Sequence, residues 1–283
     1  MGAPFEFEYE TRIPANPLRG FVELLWFARG TIPYTRERIA PTGSTVGVFV
    51  LGDPILQTAN DGNGVTIRAE RGFLIGPHDR PVVNEPTGET HAVGIVTTPV
   101  GCEAVFGIPP AALRAKVFDL EDVWSDAVAI RTVLLAEPSA GARLQLLEHW
   151  LSVEVPTLTR RLRRCQAAVA ALEDSPTRPI AEIASDLEIS HGYLDREFTR
   201  VVGLTPRSLA RLLRMRGLLE RIDIRSSVPW AELAAEFGWF DQAHLIRDFK
   251  RHTGVTPSHY VEAQRAAYAP VEVGDAAGFV PEV

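Results

Sequence analysis

Arg196 and Arg247 occupy matching places in two copies of one pattern, and a guanidinium is the side chain best shaped to grip paired acceptors. Beside the first stand Gly192 and Asp195, with Arg200 one helical turn on. Beside the second stand Gln242, Ala243 and His244, followed by Lys250 and Arg251. Arg211 and Arg214 lie between the copies. Short polar side chains backed by cations are what reading a DNA duplex requires, the former at base edges and the latter at phosphates. Arg200, Arg211, Arg214, Lys250 and Arg251 are the phosphate candidates, and the residues nearer each helix start are the base-facing ones.

Other reactive residue types are scattered. Cys102 and Cys165 are the only cysteines, with no thiol or histidine at metal-ligand spacing, which fits a reducing compartment without a disulfide framework. Cys102 beside Glu103 lacks a neighbouring histidine and a strand-to-helix elbow, so it reads as a small buried hydrophobe rather than a nucleophile. His78 and His91 stand alone, whereas a barrel metal centre needs two histidines one residue apart, a carboxylate and a third histidine. No glycine-rich phosphate loop followed by lysine is present. No catalytic residue, metal or cofactor is therefore assigned, and the chain is expected not to be an enzyme.

The elements that must position the arginines come from an internal repeat. PIAEIASDL at 179–187 returns as PWAELAAEF at 229–237, and one residue later the register continues with Leu194 and Leu245, Phe198 and Phe249, Gly203 and Gly254, and Thr205-Pro206 and Thr256-Pro257. Ile180, Ile183, Ala184 and Leu187, like Trp230, Leu233, Ala234 and Phe237, form the stripe of a short amphipathic helix. Ser190 or Asp241 then caps a second helix that ends near Gly203 or Gly254. Two helices and a tight turn make a helix-turn-helix, predicted at about 180–201 and again at about 230–252. Thr-Pro opens a further helix in each copy; the first runs from Pro206 to about Ile224 and spans about 27 Å at ~1.5 Å per residue. Such a spacer would set two recognition helices near one DNA turn, roughly 34 Å, apart.

At IAEIASDLEIS, the linker helix and GWFDQAHLIRDFKRHTGVTPSHY the chain resembles the DNA-binding domain of AraC/XylS-type transcription regulators. The resemblance implies two helix-turn-helix units on one long helix, with Gly192, Asp195, Arg196, Gln242, Ala243, His244 and Arg247 facing bases. Gly192 departs from the larger residue usual there, so the second unit is expected to read more than the first. It further implies a cupin-like sensor, helices that dimerise, and contact with RNA polymerase.

Residues 1–120 carry short β-rich runs, FVELLWFARG, STVGVFVLG, GVTIRAERGFLIG and HAVGIVTTPVG, punctuated by turns such as Gly-Asn-Gly at 62–64 and Pro86-Thr87-Gly88. They predict a small antiparallel barrel or jelly-roll-like sheet. From Pro109 the pattern turns helical, and Pro156 makes a boundary. The expected fold is thus multidomain α and β: an amino-terminal effector or dimerisation domain over 1–157, a helical DNA-binding domain over 158–268, and a flexible acidic tail over 269–283. Trp26, Phe27, Phe49 and Phe73 lie in strand runs and are candidates to line an apolar effector pocket.

Charge sharpens the division. The net charge of -7 conceals 12 Lys+Arg against 19 Asp+Glu in residues 1–158, but 17 against 14 in 159–269, sixteen of the seventeen being arginine. No run reaches the roughly 20 apolar residues of a membrane span, and a cytoplasmic protein is expected. Expected partners are double-stranded DNA, a small-molecule effector, RNA polymerase and a second copy in a homodimer. Two alternatives stay open: an amino-terminal domain that binds a protein and no metabolite, and, more remotely, an enzyme localised on DNA.

Overall fold

Alternating apolar residues between Gly and Pro turns fold the first half of the chain into two antiparallel sheets. The computed structural model describes residues 7–32, 34–59, 64–153, 157–268 and 277–282. The strands are β1 (Glu8–Arg12), β2 (Val22–Gly30), β3 (Arg36–Ile39), β4 (Val46–Val50), β5 (Ile55–Thr58), β6 (Thr66–Ala69), β7 (Gly72–Ile75), β8 (Val82–Pro86), β9 (Thr90–Thr97), β10 (Val117–Asp119) and β11 (Phe279–Glu282). One sheet runs β1-β2-β9-β4-β7-β10 and the other β11-β3-β8-β5-β6. The expected antiparallel β domain is present, as two separately hydrogen-bonded sheets rather than a closed small barrel.

The central strands of the larger sheet are buried on both faces, which is why VGVFV and GFLI read as unbroken apolar runs. Val48, Val50, Phe73, Ile75 and Ala92 meet Ile55, Ala69 and Val82 between the sheets. Their alternate neighbours Phe49, Leu74, Val93 and Ile95 face a layer of helices. That layer comprises α1 (Cys102–Phe106), α2 (Pro110–Leu113), α3 (Leu120–Val123), α4 (Ala127–Ala136) and α5 (Ala140–Ser152). Trp124, Ile130, Leu134, Leu144 and Leu147 are its buried contacts.

This two-sided burial corrects the aromatic pocket. Phe27 and Phe49 pack under the helices, while Phe73 and the half-buried Trp26 belong to the core between the sheets, so the four line no common cavity. The helical expectation after Pro109 also fails over three residues. Val117–Asp119 add β10 to the edge of β7, where β-branched and aromatic residues satisfy a row of backbone groups.

The helical domain contains α6 (Arg160–Asp174), α7 (Ile180–Asp186), α8 (His191–Val202), α9 (Pro206–Arg221), α10 (Trp230–Glu236), α11 (Gln242–Thr253) and α12 (Pro257–Ala267). Residues 277–282 overturn the flexible tail over their length. β11 pairs with β3, Phe279 opposite Ile39 and Glu282 opposite Arg36. Val280 is fully buried, Tyr260 Oη donates to the Ala277 carbonyl at 2.7 Å, and Glu282 pairs with Arg36 and Arg38. An apolar pair in an otherwise acidic segment covers an open sheet edge, and its carboxylate finds two cations. Gly62, Asn63 and the Pro156 boundary lie outside the described residues.

Candidate nucleic-acid interface

Each helix-turn-helix is closed by local chemistry that the repeat foreshadows. Ser190 Oγ accepts from Tyr193 N at 3.3 Å and Asp241 Oδ1 from His244 N at 2.6 Å, capping the two recognition helices α8 and α11. Thr205 and Thr256 cap α9 and α12 in the same way, accepting from Ser208 N at 3.1 Å and His259 N at 3.4 Å. Gly203 and Gly254 end α8 and α11 with φ of 80° and 82°, the left-handed C-cap. Leu194 and Phe198 seat α8 in one core with α6, α7 and α9; Leu245 and Phe249 seat α11 in another. The linker helix α9 stops at Arg221, three residues before the expected end.

The capped ends point their first turns away from both cores. Gly192, Arg196, Gln242, Ala243 and Arg247 are exposed, and Asp195 is half exposed. Arg196 Nη1 lies 3.8 Å from where a Cβ on Gly192 would stand, so the missing side chain leaves the Arg196 guanidinium a clear path along the helix. Asp195 has a neighbour in His191, 3.7 Å away. His244 leans inward, its Nε2 3.6 Å from Asp248 Oδ2, which makes it a less free base contact than Gln242 or Arg247.

Two phosphate candidates are otherwise employed. Arg214 stacks over Trp239 at 4.3 Å, donates to Asp248 Oδ2 at 3.1 Å and to the Gly238 carbonyl at 3.1 Å, with a side chain only 14% exposed. It braces α9 against the start of α11 and cannot reach a phosphate. Asp248 accepts from Trp239 Nε1 at 3.0 Å as well, so one carboxylate ties Arg214, Trp239 and His244 together. Arg251 donates to Asp79 Oδ2 at 2.6 Å, a contact to the β domain. Arg200, Arg211 and Lys250 stay exposed. An open groove of about 520 Å³ between the units is lined by Glu173, Asp174, Glu220 and Glu236 together with Arg214 and Arg216, a mixed wall in which carboxylates outnumber cations.

Sequence reasoning missed two features. Phe240 is 93% exposed just before α11, because Trp239 takes the buried place of the aromatic pair. The adjacent aromatics signalled that one would face out, but not which. Ile246, 36% exposed, lies on the outward face of α11 where the helical spacing puts it. The second missed feature is the loop Pro77-His-Asp-Arg-Pro81, which meets the ends of both recognition helices. A Cβ on Gly203 would stand 2.9 Å from Pro77 Cγ and one on Gly254 3.3 Å from Pro81 Cγ. Between the two prolines Asp79 takes the Arg251 ion pair, and its carbonyl lies 2.9 Å from His252 Nδ1. Burial works to raise the Asp79 carboxyl, and the Arg251 hydrogen bond and charge outweigh it, so it is held below the usual range. Burial keeps His252 below its usual pKa, outweighing the hydrogen bond to the Asp79 carbonyl, which works to raise it.

A second connection runs from within the β domain. Gln57, Asn84 and Glu37 stand side by side across β5, β8 and β3. Gln57 Nε2 donates to Asn84 Oδ1, Asn84 Nδ2 to Glu37 Oε1 at 2.9 Å, and Tyr34 Oη to Glu37 Oε2 at 2.7 Å. Tyr34 Oη also meets Tyr268 Oη, just past α12, at 3.0 Å. Burial pushes the Glu37 carboxyl up, and burial together with Glu37 pushes the Tyr34 phenol up. The thiols take no part: burial raises Cys102 to about 11 and Cys165 to about 12, leaving both protonated at neutral pH.

Residues 183–263 match the family described as a helix-turn-helix domain, and residues 10–119 match a domain of unknown function, DUF6597. No curated protein matches the chain. Among solved structures, ToxT from Vibrio cholerae is similar over 90% of this chain and 98% of its own, at 10% identity and a TM-score of 0.46. The C-terminal domain of AraT, a response regulator from Geobacillus stearothermophilus, is similar over 38% of this chain and 88% of its own, at 23% identity and a TM-score of 0.33. A DNA-binding transcriptional dual regulator from Escherichia coli K-12 covers 35% of this chain and 89% of its own, at 22% identity and a TM-score of 0.31. The duplicated, capped units joined by α9 are the part of the chain that matches the helix-turn-helix domain family.

Proposed function

We propose that this chain is an AraC-type transcription regulator that reads an asymmetric DNA site with the first turns of α8 and α11, and that its amino-terminal domain controls that reading by holding the far ends of both helices. One observation carries the proposal: the N-terminal ends of the recognition helices are open, while their C-terminal glycines rest on the two prolines of one loop, Pro77 and Pro81. A shift of that loop changes the relation between two DNA-reading helices at once. Any effector acts by binding one loop arrangement more tightly than the other. Base reading falls to Asp195 and Arg196 in the first unit and Gln242, Ala243 and Arg247 in the second, with Arg200, Arg211 and Lys250 at phosphates.

The sensing half of the proposal draws on the Gln57-Asn84-Glu37 row. Gln57 is fully buried and its Oε1 has no hydrogen-bond partner among the described residues, a costly arrangement. A small polar metabolite that donates to Gln57 would change a network ending at Tyr268. The dimer surface we assign is the outer face of α4, where Val128, Thr132, Val133 and Leu135 are exposed without a charge among them. We place the protein in the cytoplasm with its DNA; no described helix is long and apolar enough to cross a membrane.

Fluorescence anisotropy against duplexes selected from a randomised pool, repeated with scrambled duplex, tests the reading. Arg247→Ala should lower affinity for the selected site by ~1–3 kcal/mol and leave scrambled DNA nearly unchanged. Equal loss on both removes its base-reading role. Thermal shifts of the full chain against metabolite pools separate small-molecule sensing, which gives a stabilising compound, from a protein partner, which gives none.

A further inference from the structure

The two recognition helices carry different chemistry. The outward residues of α8 are His191, Gly192, Asp195, Arg196 and Thr199, all polar apart from the glycine, whereas α11 offers Phe240 just before its cap, then Ala243, Ile246, Arg247 and Lys250. Ala243, Ile246, Arg247 and Lys250 follow the i, i+3, i+4, i+7 spacing of one helical face. Phe240, at 93% exposure, is the most exposed large apolar side chain among the described residues, and Ile246 is exposed on the next turn. Holding a phenyl ring in water forfeits the stabilisation that burial would give, and none of the described residues covers it. The occupant must be apolar where it meets these three residues and anionic around them, since Arg247 and Lys250 flank the patch. In the DNA major groove the group that answers this description is the thymine 5-methyl, which projects beside phosphates and is read by apolar contact.

Resting on the DNA-binding reading above, we propose that Phe240, Ala243 and Ile246 form a methyl-reading patch, so that the second unit selects a thymine-rich half-site next to the base held by Arg247. The first unit, with Asp195 and Arg196, reads by hydrogen bonds and is indifferent to those methyls. Phe240 sits ahead of the Asp241 cap and places its ring at the leading edge of the helix, where the first base contacts of a recognition helix are made.

Replacing thymine by uracil in the duplex removes the methyl and keeps every hydrogen-bonding group. Duplexes selected from a randomised thymine pool by the full chain are remade with deoxyuridine in one half-site at a time. The expected result is a roughly fourfold loss of affinity per contacted methyl in the α11 half-site, no loss in the α8 half-site, and no remaining uracil effect in a Phe240→Ala, Ile246→Ala double variant. Both substitutions are at surface positions, and the uracil comparison on the unaltered protein needs no variant. Tight binding that ignores uracil in both half-sites, or a uracil effect that survives in the double variant, overturns the methyl patch while leaving DNA binding intact. Failure to enrich any duplex overturns the DNA-binding reading itself.

Discussion

Removing the Asp79 carboxylate tests whether the β domain restrains the second recognition helix. Arg251 Nη2 donates to Asp79 Oδ2 at 2.6 Å, with the two side chains 42% and 27% exposed. At that exposure solvent screens the pair, and its loss costs the domain contact about 0.5–1 kcal/mol. The His252 contact uses the Asp79 backbone carbonyl and survives Asp79→Ala. The effect on DNA has the opposite sign. The variant deletes one negative charge beside α11 and frees one guanidinium, so the chain neutralises up to one more phosphate. One phosphate steepens the slope of log affinity against log salt by about 0.9, equivalent to roughly 3.5-fold between 50 and 200 mM. Asp79→Ala should therefore bind selected and scrambled duplexes several-fold more tightly at low salt, with the advantage shrinking by about that factor at high salt. Arg251→Ala should lack the gain, and the double variant should resemble Arg251→Ala. Anisotropy titrations across salt provide the assay. An unchanged slope, or weaker binding by Asp79→Ala, refutes the idea that the ion pair withholds Arg251 from DNA.

Asp241→Ala should destabilise the chain by roughly 1–2 kcal/mol in denaturant unfolding, more than Ser190→Ala at about 0.5–1, because a charged cap also meets the helix dipole; equal effects would count against that. Glu37 has a pKa raised by burial, so its stabilising protonated state is complete below the unfolded value of about 4.5 and lost as pH rises toward the folded pKa. Glu37→Gln imitates that state, and its denaturation midpoint should exceed the parent's at pH 7 but not at pH 4; the same difference at both pH values would exclude the carboxyl as its source. Deleting residues 277–283 uncovers the β3 edge and the site of Val280, and should lower stability by at least ~1.5 kcal/mol and promote association seen by light scattering. Val128→Glu with Leu135→Glu should shift a sedimenting dimer to monomer without changing the melting temperature; a dimer that persists places the interface elsewhere.

The helical half was legible because its determinants are local. Ser190, Thr205, Asp241 and Thr256 each act within three residues, and the stripes ending at Leu187 and Phe237 declare their buried faces by period alone. Arg214 shows where that stops. Its spacing on α9 resembles that of Arg211, and only the arrival of Trp239 from another helix turns it from a surface cation into a brace. Arg251 and Asp79 are 172 residues apart, and β11 finds β3 across nearly the whole chain; neither pairing leaves a periodic trace. In the β domain, alternation located strands but did not say which face met helices and which met the other sheet, so Phe49 and Phe73 could be grouped although they lie on opposite sides.

Gly203 and Gly254 show how one residue can hide a second requirement. Each is already demanded by a left-handed C-cap, with φ near 80°, so the sequence offers a complete reason for the glycine and no hint of another. The structure adds close approach: a Cβ on Gly203 would also stand 3.0 Å from Pro110 Cβ, and one on Gly254 2.9 Å from Arg38 Cδ. The cap that ends each recognition helix is thereby the surface that docks it. A helix-turn-helix duplicated for DNA reading presents two equivalent glycines, and a loop with prolines four residues apart meets both. Coupling between the domains then needs no dedicated linker, because what fixes where each recognition helix ends also fixes where the β domain holds it.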